Sequence, residues 1–597
     1  MAGGGRRGAR RSERGAWPGT AGFARTHPGA RPYAGPDARD GGPSAAGTQF
    51  RLAGAGLFRD RPHGRAAMAR RPVRRKKPRT LPVLFEAVPV PDAGTAGGPR
   101  GAGEPNRRKQ GMSEATLEAA AYGVVPETGM DREAIIEALK EKKANDLTDL
   151  ARVYGYTYSP GGETEAVARE AYMMFLKENA LDITSYPSVM VLEREVVRMI
   201  ANLLRGDESV VGNMTSGGTE SILLALKTAR DYTRHHRPEI TEPEVILPRT
   251  AHPAFHKACA YFNIKPVVIG FDTTTYKADV AEMRAAITPN TIMLVGSACG
   301  YAQGVIDPIV EIGALAKEKG LLCHVDGCVG GIHFSFMRRM GYALPDFDFT
   351  VEGVTSISAD MHKYGYAPKN ASIILYRDKS IRRFQIFACG LTTTYALVNP
   401  TMLSSKSGGP VAGSWATLKY MGEAGYQNLI RRLMDTTKIL VDGINAIPGL
   451  RVLGQPDMCM FSFSSDEVNV FQLQYEVKKR GWYIQPQFST PLSPPNLHIS
   501  VIPPVLGNEE AFLADLRGAF EDLKASGNHL DFGMVKEQIN GLIAGLSEDE
   551  AKERLQQLAG MDDDMPEDFS MVNTVIDGLS EDLRKFLLED YVNQLFV

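Results

Sequence analysis

Short apolar runs alternate with helical patterns between residues 207 and 378. Six runs rich in aliphatic and β-branched residues predict buried strands, at 244–248, 267–271, 292–296, 321–325, 354–358 and 372–376. Helical spacing between them predicts helices at 219–234, 252–262, 279–287 and 308–319. Apolar strands that alternate with helices are typical of a mostly parallel sheet that helices cover on both faces. The pattern therefore predicts a large α/β domain over residues 207–410.

The segments that flank this domain have other patterns. Residues 112–206 predict an N-terminal helical segment, with helical spacing at 131–143, 163–178 and 188–204. A helical region at 411–446 opens a smaller C-terminal α/β domain that ends at residue 526. Its predicted elements are strands at 459–464, 482–485 and 497–501 and helices at 467–480 and 508–526. Residues 527–597 predict an acidic helical tail with a linker at 560–564.

Residues 1–111 lack apolar periodicity and are rich in Gly, Ala, Pro and Arg. They carry 23 basic and 7 acidic side chains, whereas the rest of the chain carries 45 basic and 63 acidic ones. Such a segment buries too little apolar surface to offset chain entropy, which predicts a disordered basic leader. An arm for nucleic acid or anionic surfaces and a targeting peptide are two interpretations. We favour a third, in which Met112 is the natural start and the leader is not natural.

Length and composition restrict the class of protein. A chain of 597 residues exceeds one ordinary core and predicts two or more domains. Its 6 cysteines have neither metal-site spacing nor the density of a disulfide scaffold, which favours a reducing, cytoplasmic location. We expect no membrane span, because the sequence has no uninterrupted apolar stretch of about 18 residues. We expect no nucleic-acid partner, because no DNA-reading motif is recognisable.

A glycine turn opens the first helix of the large domain. Ser216-Gly-Gly-Thr-Glu-Ser221 precedes the apolar segment that begins at Ile222. Free backbone N–H groups at a helix start favour an anion, and glycines let the backbone approach it closely. Gly218 and Thr219 are therefore candidates for a phosphate-binding loop. A helix cap with a tight turn and no ligand explains the same residues.

Two further candidates follow predicted strands. Asp326 lies just past the strand at 321–325, at the sheet edge where open α/β folds bind ligands. Its carboxylate can keep a heteroaromatic nitrogen protonated through a charge-assisted hydrogen bond. His252 follows the strand at 244–248, and its ring can stack on a planar ligand. Caps at the end of a strand or the start of a helix explain each of these residues as well.

Lys363 lies in a loop after the strand at 354–358. Burial there would lower the pKa of the lysine and free a nucleophilic amine, although a lysine taken alone is more often a solvated surface residue. The order of glycine loop, His252, Asp326 and His362-Lys363 supplies an anchor, a stacking ring, a carboxylate and an amine. These four groups match the phosphate, ring face, pyridine nitrogen and aldehyde of pyridoxal 5′-phosphate. The combination therefore predicts that cofactor.

Four motifs resemble those of the sphingosine-1-phosphate lyases: Thr215–Ser221, His324–Asp326, Gly353–Asp360 and His362–Lys369. Residues 304–308 and 405–409 match as well, and the resemblance runs from about residue 158 to about residue 525. That family belongs to the group II decarboxylase branch of the fold-type I pyridoxal-phosphate enzymes. The resemblance therefore implies the fold-type I transferase fold, with a large domain and a smaller C-terminal domain.

The resemblance also implies how the cofactor is held. Lys363 would bind it covalently, Asp326 would pair with its pyridine nitrogen, and His252 would stack on its ring. Gly218 and Thr219 would bind the cofactor phosphate. The protein would be a homodimer with shared active sites, in which Ser405 and Gly408 of the second subunit also bind that phosphate. His362 is the remaining member of the cofactor-binding set.

The implied reaction is cleavage of the C2–C3 bond of a phosphorylated long-chain base, which gives a fatty aldehyde and phosphoethanolamine. Tyr158 and Asn179, reaching across the subunit interface, would line the substrate cavity with Lys369, which would meet the substrate phosphate. Tyr301 would transfer or orient a proton. One departure concerns Asp182, which stands where the family has a histidine and would repel a phosphate. An amino-acid decarboxylase of the same branch is the alternative.

Overall fold

The structure is a computed structural model of a single chain. It describes residues 125–594 apart from 145, 183, 392, 394–395, 528–531, 544, 547–549, 552–553 and 555–567. The predicted leader and the predicted linker at 560–564 lie outside the described residues. The domain limits at 206, 410 and 526 stay predictions.

A mixed sheet at the centre of the large domain positions the site. Its strands are β1 Val211–Thr215, β2 Glu244–Pro248, β3 Lys265–Ile269, β4 Thr291–Gly300, β5 Val305–Ile306, β6 Leu322–Asp326, β7 Ser356–Ala359 and β8 Ser372–Tyr376. They are ordered β1-β8-β7-β6-β4-β2-β3, and β5 pairs with β4. Neighbours from β7 to β3 along this order are parallel, whereas β8 is antiparallel to both β1 and β7. The predicted mostly parallel mixed sheet is therefore confirmed, and β1 is a strand that the apolar pattern missed.

Helices cover both faces of this sheet because its strands are apolar on both sides. Val245 and Leu247 of β2 pack into one apolar cluster, and Ile246 between them packs into the other. The covering and flanking helices are α1 Arg132–Lys142, α2 Gly162–Met174, α3 Pro187–Leu203, α4 Gly218–His236, α5 Ala254–Phe262, α6 Val280–Ala285, α7 Ile309–Lys319, α8 Gly331–Arg339 and α9 Lys379–Arg382.

A second, antiparallel sheet forms the smaller domain. After the short strands β9 Phe387–Cys389 and β10 Leu397–Asn399, helix α10 Gly409–Asn445 leads into it, interrupted at Gly422 with φ 56 and ψ −179. The sheet has the order β11-β12-β14-β13. Its strands and helices are β11 Leu450–Leu453, β12 Met460–Ser465, α11 Val470–Lys479, β13 Gln485–Gln487, β14 Asn496–Ser500 and α12 Glu509–Ser526. The strand predicted at 482–485 thus begins only at its last residue, and β11 was not predicted.

Helices continue into the C-terminal tail. They are α13 Phe532–Ile543, α14 Ser570–Gly578 and α15 Glu581–Gln594. None of the helices in the described part of the chain is long and apolar enough to cross a lipid bilayer.

Candidate active site

A cavity of about 350 Å³ lies at the carboxyl edge of the central sheet. The ends of β1, β2, β6 and β7 meet there, because parallel strands present their carboxyl ends on the same side. The cavity brings together residues that are up to 147 positions apart in the sequence. Of the predicted site residues, it is lined by Gly218, Thr219, His252, Tyr301, Asp326, His362 and Lys363.

The glycine loop forms one wall of the cavity at the start of α4. A β-carbon at Gly218 would lie 2.8 Å from a carboxylate oxygen of Asp360 and 2.9 Å from the Cys328 sulfur, so a larger residue does not fit. Glu220 fixes the loop, since its carboxylate accepts the N–H groups of Ser216 and Met402, each at 2.6 Å. The first turn of α4 has backbone N–H groups without intrahelical partners, which suits a phosphate.

Asp326 is held by a chain of buried hydrogen bonds. Its Oδ1 accepts the Cys328 N–H at 3.0 Å and lies 3.3 Å from the Ser358 hydroxyl. That hydroxyl is 3.3 Å from His324 Nε2, and His324 Nδ1 is 2.9 Å from the Ser356 hydroxyl. Burial lowers the pKa of His324 to about 4, so this ring is neutral at neutral pH. The contacts orient the carboxylate through Oδ1 and leave Oδ2 for a ligand.

The amine of Lys363 is paired with a carboxylate that sequence reasoning did not select. Its Nζ lies 2.9 Å from Oδ2 of Asp360. Asp360 is a buried residue, with 2% of its surface exposed. Burial by itself would lower the pKa of Lys363, but the charge of Asp360 outweighs it and raises that pKa. The prediction of a lysine deprotonated by burial is therefore wrong. The i, i+3 spacing of Asp360 and Lys363 was a signal available in the sequence.

Two histidines of the cavity are neutral at neutral pH. Burial lowers the pKa of His252 and that of His362. His252 Nδ1 accepts the N–H of Ala254 at 3.2 Å, and His362 Nδ1 accepts the N–H of Ala371 at 3.3 Å. Each ring therefore carries its proton on Nε2. An uncharged ring fixed at the start of α5 is suited to stack on a planar ligand.

Comparison with known proteins gives the family. The pyridoxal-dependent decarboxylase conserved domain matches residues 126–465. The sphingosine-1-phosphate lyase of Oryza sativa subsp. japonica is 42% identical over 411 residues, which cover 67% of this chain and 75% of that protein. The chain belongs to the sphingosine-1-phosphate lyase branch of this decarboxylase family. It is a lyase that depends on pyridoxal phosphate, so the predicted cofactor is confirmed.

Two more relatives are a lyase and an amino-acid decarboxylase. The solved structure of the sphingosine-1-phosphate lyase of Burkholderia pseudomallei has a TM-score of 0.65 and 36% identity. The match covers 72% of this chain and 99% of that one. The L-aspartate/L-glutamate decarboxylase of Pyrococcus horikoshii is 32% identical over 360 residues, which cover 60% of this chain and 91% of that protein.

The cavity of this lyase-branch chain fits pyridoxal phosphate in three respects. The loop at Gly218 approaches Asp360 and Cys328 too closely for any side chain, Oδ2 of Asp326 is available, and Lys363 lines the same cavity. Among the described residues, the buried Oδ1 of Asp360 has no hydrogen-bond partner. A buried polar atom without a partner is costly and marks a position where a ligand or water completes the site.

The side chain of Tyr301 lines the cavity, and that of Tyr158 lies beside it. Tyr301 donates its hydroxyl hydrogen bond to Gln485, and its ring lies 4.4 Å from that of His498. Burial raises the pKa of Tyr301 and that of Tyr158, so both phenols hold their protons at neutral pH. Neither phenol is a resident base, and each is a proton donor. Gln485 and His498 were missed because they come from the smaller domain.

The substrate-binding residues that the resemblance implied fall into two places. The ring of Tyr158 packs edge-on against that of Tyr364, with 5.0 Å between the centroids, and the charge of Lys363 acts on the Tyr158 phenol. A single chain therefore brings Tyr158 close to Lys363, without a second subunit. Lys369 Nζ lies 5.4 Å from the Tyr158 ring and donates to the Tyr156 carbonyl at 3.0 Å. These two residues therefore lie beside the cofactor cavity of the same chain.

Asn179, Ser405 and Gly408 lie away from that cavity. Asn179 Nδ2 donates to Ser405 Oγ at 3.3 Å, and both residues line a separate cleft of about 1600 Å³. Gly408 is buried, and its N–H donates to the Glu178 carbonyl at 2.8 Å. A single chain therefore does not bring these three residues to Lys363.

Asp182, the residue that departs from the lyase pattern, accepts hydrogen bonds from two residues of the turn that follows it. Its Oδ1 accepts the N–H and hydroxyl of Thr184 at 2.9 and 2.6 Å, and its Oδ2 accepts the Ser185 hydroxyl at 2.7 Å. These bonds lower the pKa of Asp182, which keeps it charged. The carboxylate shapes the chain just before α3 and lies in the large cleft, not in the cofactor cavity.

Replacing Asp360 with asparagine is expected to change when Lys363 loses its proton. Without the carboxylate, the largest influence that raises the pKa of Lys363 is lost while burial still lowers it, so its pKa falls. The pH profile for cofactor uptake then shifts to lower pH, by about one to three units for a close ion pair. The rate at which the cofactor-free enzyme gains the visible absorbance of bound pyridoxal phosphate, measured against pH, tests this. Asp466→Asn, at an exposed carboxylate, is the control, and equal profiles would contradict the assignment.

Proposed function

We propose that this chain cleaves the C2–C3 bond of a phosphorylated long-chain amino alcohol of the sphingosine 1-phosphate type. The products are a long-chain aldehyde and phosphoethanolamine. The relatives of 42% and 36% identity are both named as lyases of that substrate, which supports the proposal. The observation that carries it is a second lysine, the exposed Lys369, which lies against Tyr158 beside the Lys363 cavity.

Lys369 suits a phosphorylated substrate better than a plain amino acid. Partial burial and the charge of Lys363 lower the pKa of Lys369, so an added anion there would be stabilised by two cations. The Lys369 amine contacts the Tyr156 carbonyl oxygen and the face of the Tyr158 ring. Neither group is acidic, so the amine forms no ion pair among the described residues. A phosphate can supply an acidic partner through a charge-assisted hydrogen bond.

The residues of the cavity have distinct roles in the proposed reaction. Lys363 attaches the cofactor, and Asp326 holds a proton on its pyridine nitrogen. Gly218 and Thr219 bind its phosphate, and the neutral ring of His252 covers its face. When bound, pyridoxal phosphate supplies the electron sink for the bond that breaks.

The remaining roles concern the substrate and its protons. The C3 hydroxyl loses a proton as the C2–C3 bond breaks, and C2 gains a proton afterwards. Tyr301 and Tyr158 are protonated phenols beside Lys363, which suits them to orient the hydroxyl or to donate the proton to C2. Asp360 is the acceptor nearest to the Lys363 proton.

A substrate panel distinguishes this proposal from amino-acid decarboxylation, which the relative from Pyrococcus horikoshii supports. The purified chain is incubated with sphingosine 1-phosphate and, separately, with glutamate, aspartate and tyrosine. We expect aldehyde from the first and no carbon dioxide from the others. Carbon dioxide without aldehyde would overturn the lyase proposal in favour of the decarboxylase.

Lys369→Met is expected to raise KM for the phosphorylated substrate by about 10- to 100-fold, because a hydrogen bond to a charged group contributes about 1.5–3 kcal/mol. KM for the unphosphorylated amino alcohol should change less than twofold. Lys319→Met, at an exposed lysine paired with Glu318, is the matched control. Equal increases for both substrates would contradict a role of Lys369 in phosphate binding.

The homodimer with shared sites also belongs to the proposal. The large cleft that Asn179 and Ser405 line carries exposed apolar side chains, among them Val191 and Val398. A second copy that covers this face would bury them and complete the cofactor site with Ser405 and Gly408. Sedimentation of the purified chain at the monomer mass would contradict this.

We also propose a cytoplasmic location. All six cysteines are free, and five of them are buried. Free buried cysteines are usual in a reducing compartment. Fractionation of the native protein, with a secreted marker as reference, tests the location.

A further inference from the structure

The C-terminal helices α14 and α15 lie beyond the residues that match the family domain, which end at 465. They pack on the smaller domain, where Thr574 Oγ1 accepts a hydrogen bond from Asn469 Nδ2 at 3.1 Å. Their other contacts converge on the hairpin that joins β13 to β14. A segment outside the family domain therefore reaches an element that contacts Tyr301, a residue of the cavity.

Asp577 is the centre of this contact. Its carboxylate is 9% exposed, and both oxygens accept from Ser489 in the hairpin. Oδ1 accepts the Ser489 N–H, and Oδ2 accepts the Ser489 hydroxyl at 2.9 Å. Hydrogen bonds to a buried charged group are among the stronger ones in proteins. They fix both the backbone and the side chain of one hairpin residue.

Arg584 secures the same hairpin from α15. Its guanidinium lies 5.1 Å from the centroid of the Phe488 ring and donates to the carbonyls of Ile576 at 3.1 Å and Asp577 at 2.8 Å. Phe488 and Ser489 are adjacent, so α14 and α15 hold consecutive residues of the hairpin. The contact is specific, because it combines a carboxylate, a guanidinium and an aromatic ring.

The hairpin contacts the cavity through Tyr301, which lines it. Gln485, at the start of β13, accepts the hydroxyl hydrogen bond of Tyr301 and pairs in register with His498 of β14. His498 packs on the Tyr301 ring, and its Nδ1 lies 3.0 Å from the Ala302 carbonyl. β13 is three residues long and lies at the edge of its sheet. A short edge strand has few contacts of its own and depends on neighbours for a fixed position.

We propose that Asp577 is a positioning residue that acts through Ser489 and Gln485 to hold the Tyr301 hydroxyl in the active site. The inference deepens the proposed function, on which it rests for the role of Tyr301. Without Asp577 the hairpin loses its anchor at Ser489, and Gln485 no longer fixes the phenol. The C-terminal helices are thereby part of the substrate side of the site.

A double-mutant cycle tests this on the full chain loaded with pyridoxal phosphate. Asp577→Ala should lower kcat about tenfold with KM within about twofold, because a shift of about 1 Å at a reacting group costs up to about 100-fold. Tyr301→Phe removes the hydroxyl that Asp577 is proposed to position. The double variant should therefore be no slower than Tyr301→Phe alone. Asp577→Asn, which keeps an acceptor for Ser489, should recover part of the rate.

Hydrogen exchange provides a readout that needs no substrate. Backbone amides of residues 485–493 should exchange faster in Asp577→Ala than in the parent chain. Asp582→Ala is the matched control, since this exposed aspartate is the second residue of α15 and makes no hydrogen bond to the hairpin among the described residues.

The outcomes separate the two proposals. If the parent chain releases no aldehyde, the proposed function fails, and the exchange measurement alone decides the role of Asp577. Faster exchange at 485–493 then supports the anchoring, and unchanged exchange overturns it. If aldehyde is released, rate losses of Asp577→Ala and Tyr301→Phe that multiply in the double variant overturn the inference.

Discussion

Lys363→Ala is expected to abolish measurable turnover and to remove the visible absorbance of bound cofactor. Lys363 contributes the only side-chain amine among the described residues that line the cofactor cavity, and Lys369 lies beside the cavity without lining it. The loss should be at least about 10⁴-fold, since covalent catalysis carries much of an enzyme's rate enhancement. Steady-state aldehyde release and a visible spectrum measure the two effects.

The control for this variant is Lys585→Ala, at a lysine of α15 whose side chain is 73% exposed. Its ion pair with Glu589 is on the surface and contributes about 0–1 kcal/mol to stability. Turnover by Lys363→Ala within a factor of ten of the parent enzyme would show that another residue holds the cofactor. The melting temperature should be reported with both variants, because Lys363→Ala also leaves Asp360 buried without its cation.

Asp326→Asn is expected to have the second largest effect. It should lower kcat by roughly 10²–10⁴-fold, because removing one partner of a buried charged pair costs about 3–5 kcal/mol. Asparagine has nearly the same shape and can keep the hydrogen bonds to Ser358 and Cys328, so folding should be little affected. What it loses is the negative charge that keeps the pyridine nitrogen protonated. Aldehyde release and the pH dependence of the cofactor spectrum measure the loss.

Asp466→Asn, at an exposed carboxylate, is the control for Asp326→Asn as well. If Asp326→Asn leaves kcat and the spectrum unchanged, its carboxylate does not contact the cofactor. If it weakens only cofactor binding, Asp326 contributes affinity without promoting the reaction. A further variant, Ser358→Ala, should show a smaller change in the same spectrum, since it removes only one contact of Oδ1.

Local sequence patterns predicted most strands of the central sheet, most of the long helices and the cofactor. The apolar runs predicted β2 and β8 at their observed bounds, because a strand buried on both faces needs a continuous apolar run. Asp326 and Lys363 could be predicted together because each lies at or after the end of a predicted strand, and parallel strands bring their carboxyl ends to one edge. The glycine loop follows β1, which the apolar pattern missed, and was predicted from its glycines at a helix start. The smaller domain was less predictable, since β13 is only three residues long and half-buried.

Only the tertiary structure decided the protonation state of Lys363 and the contacts that the smaller domain makes with the site. The pKa of Lys363 is raised, not lowered, because Asp360 lies within 2.9 Å of its amine. Gln485 reaches Tyr301 across 184 residues of sequence, and Asp577 reaches Ser489 across 88. No periodicity or local motif encodes the last two pairs. Sequence patterns report on local backbone structure, burial and near neighbours such as Asp360 and Lys363, whereas the long-range contacts depend on how distant segments pack.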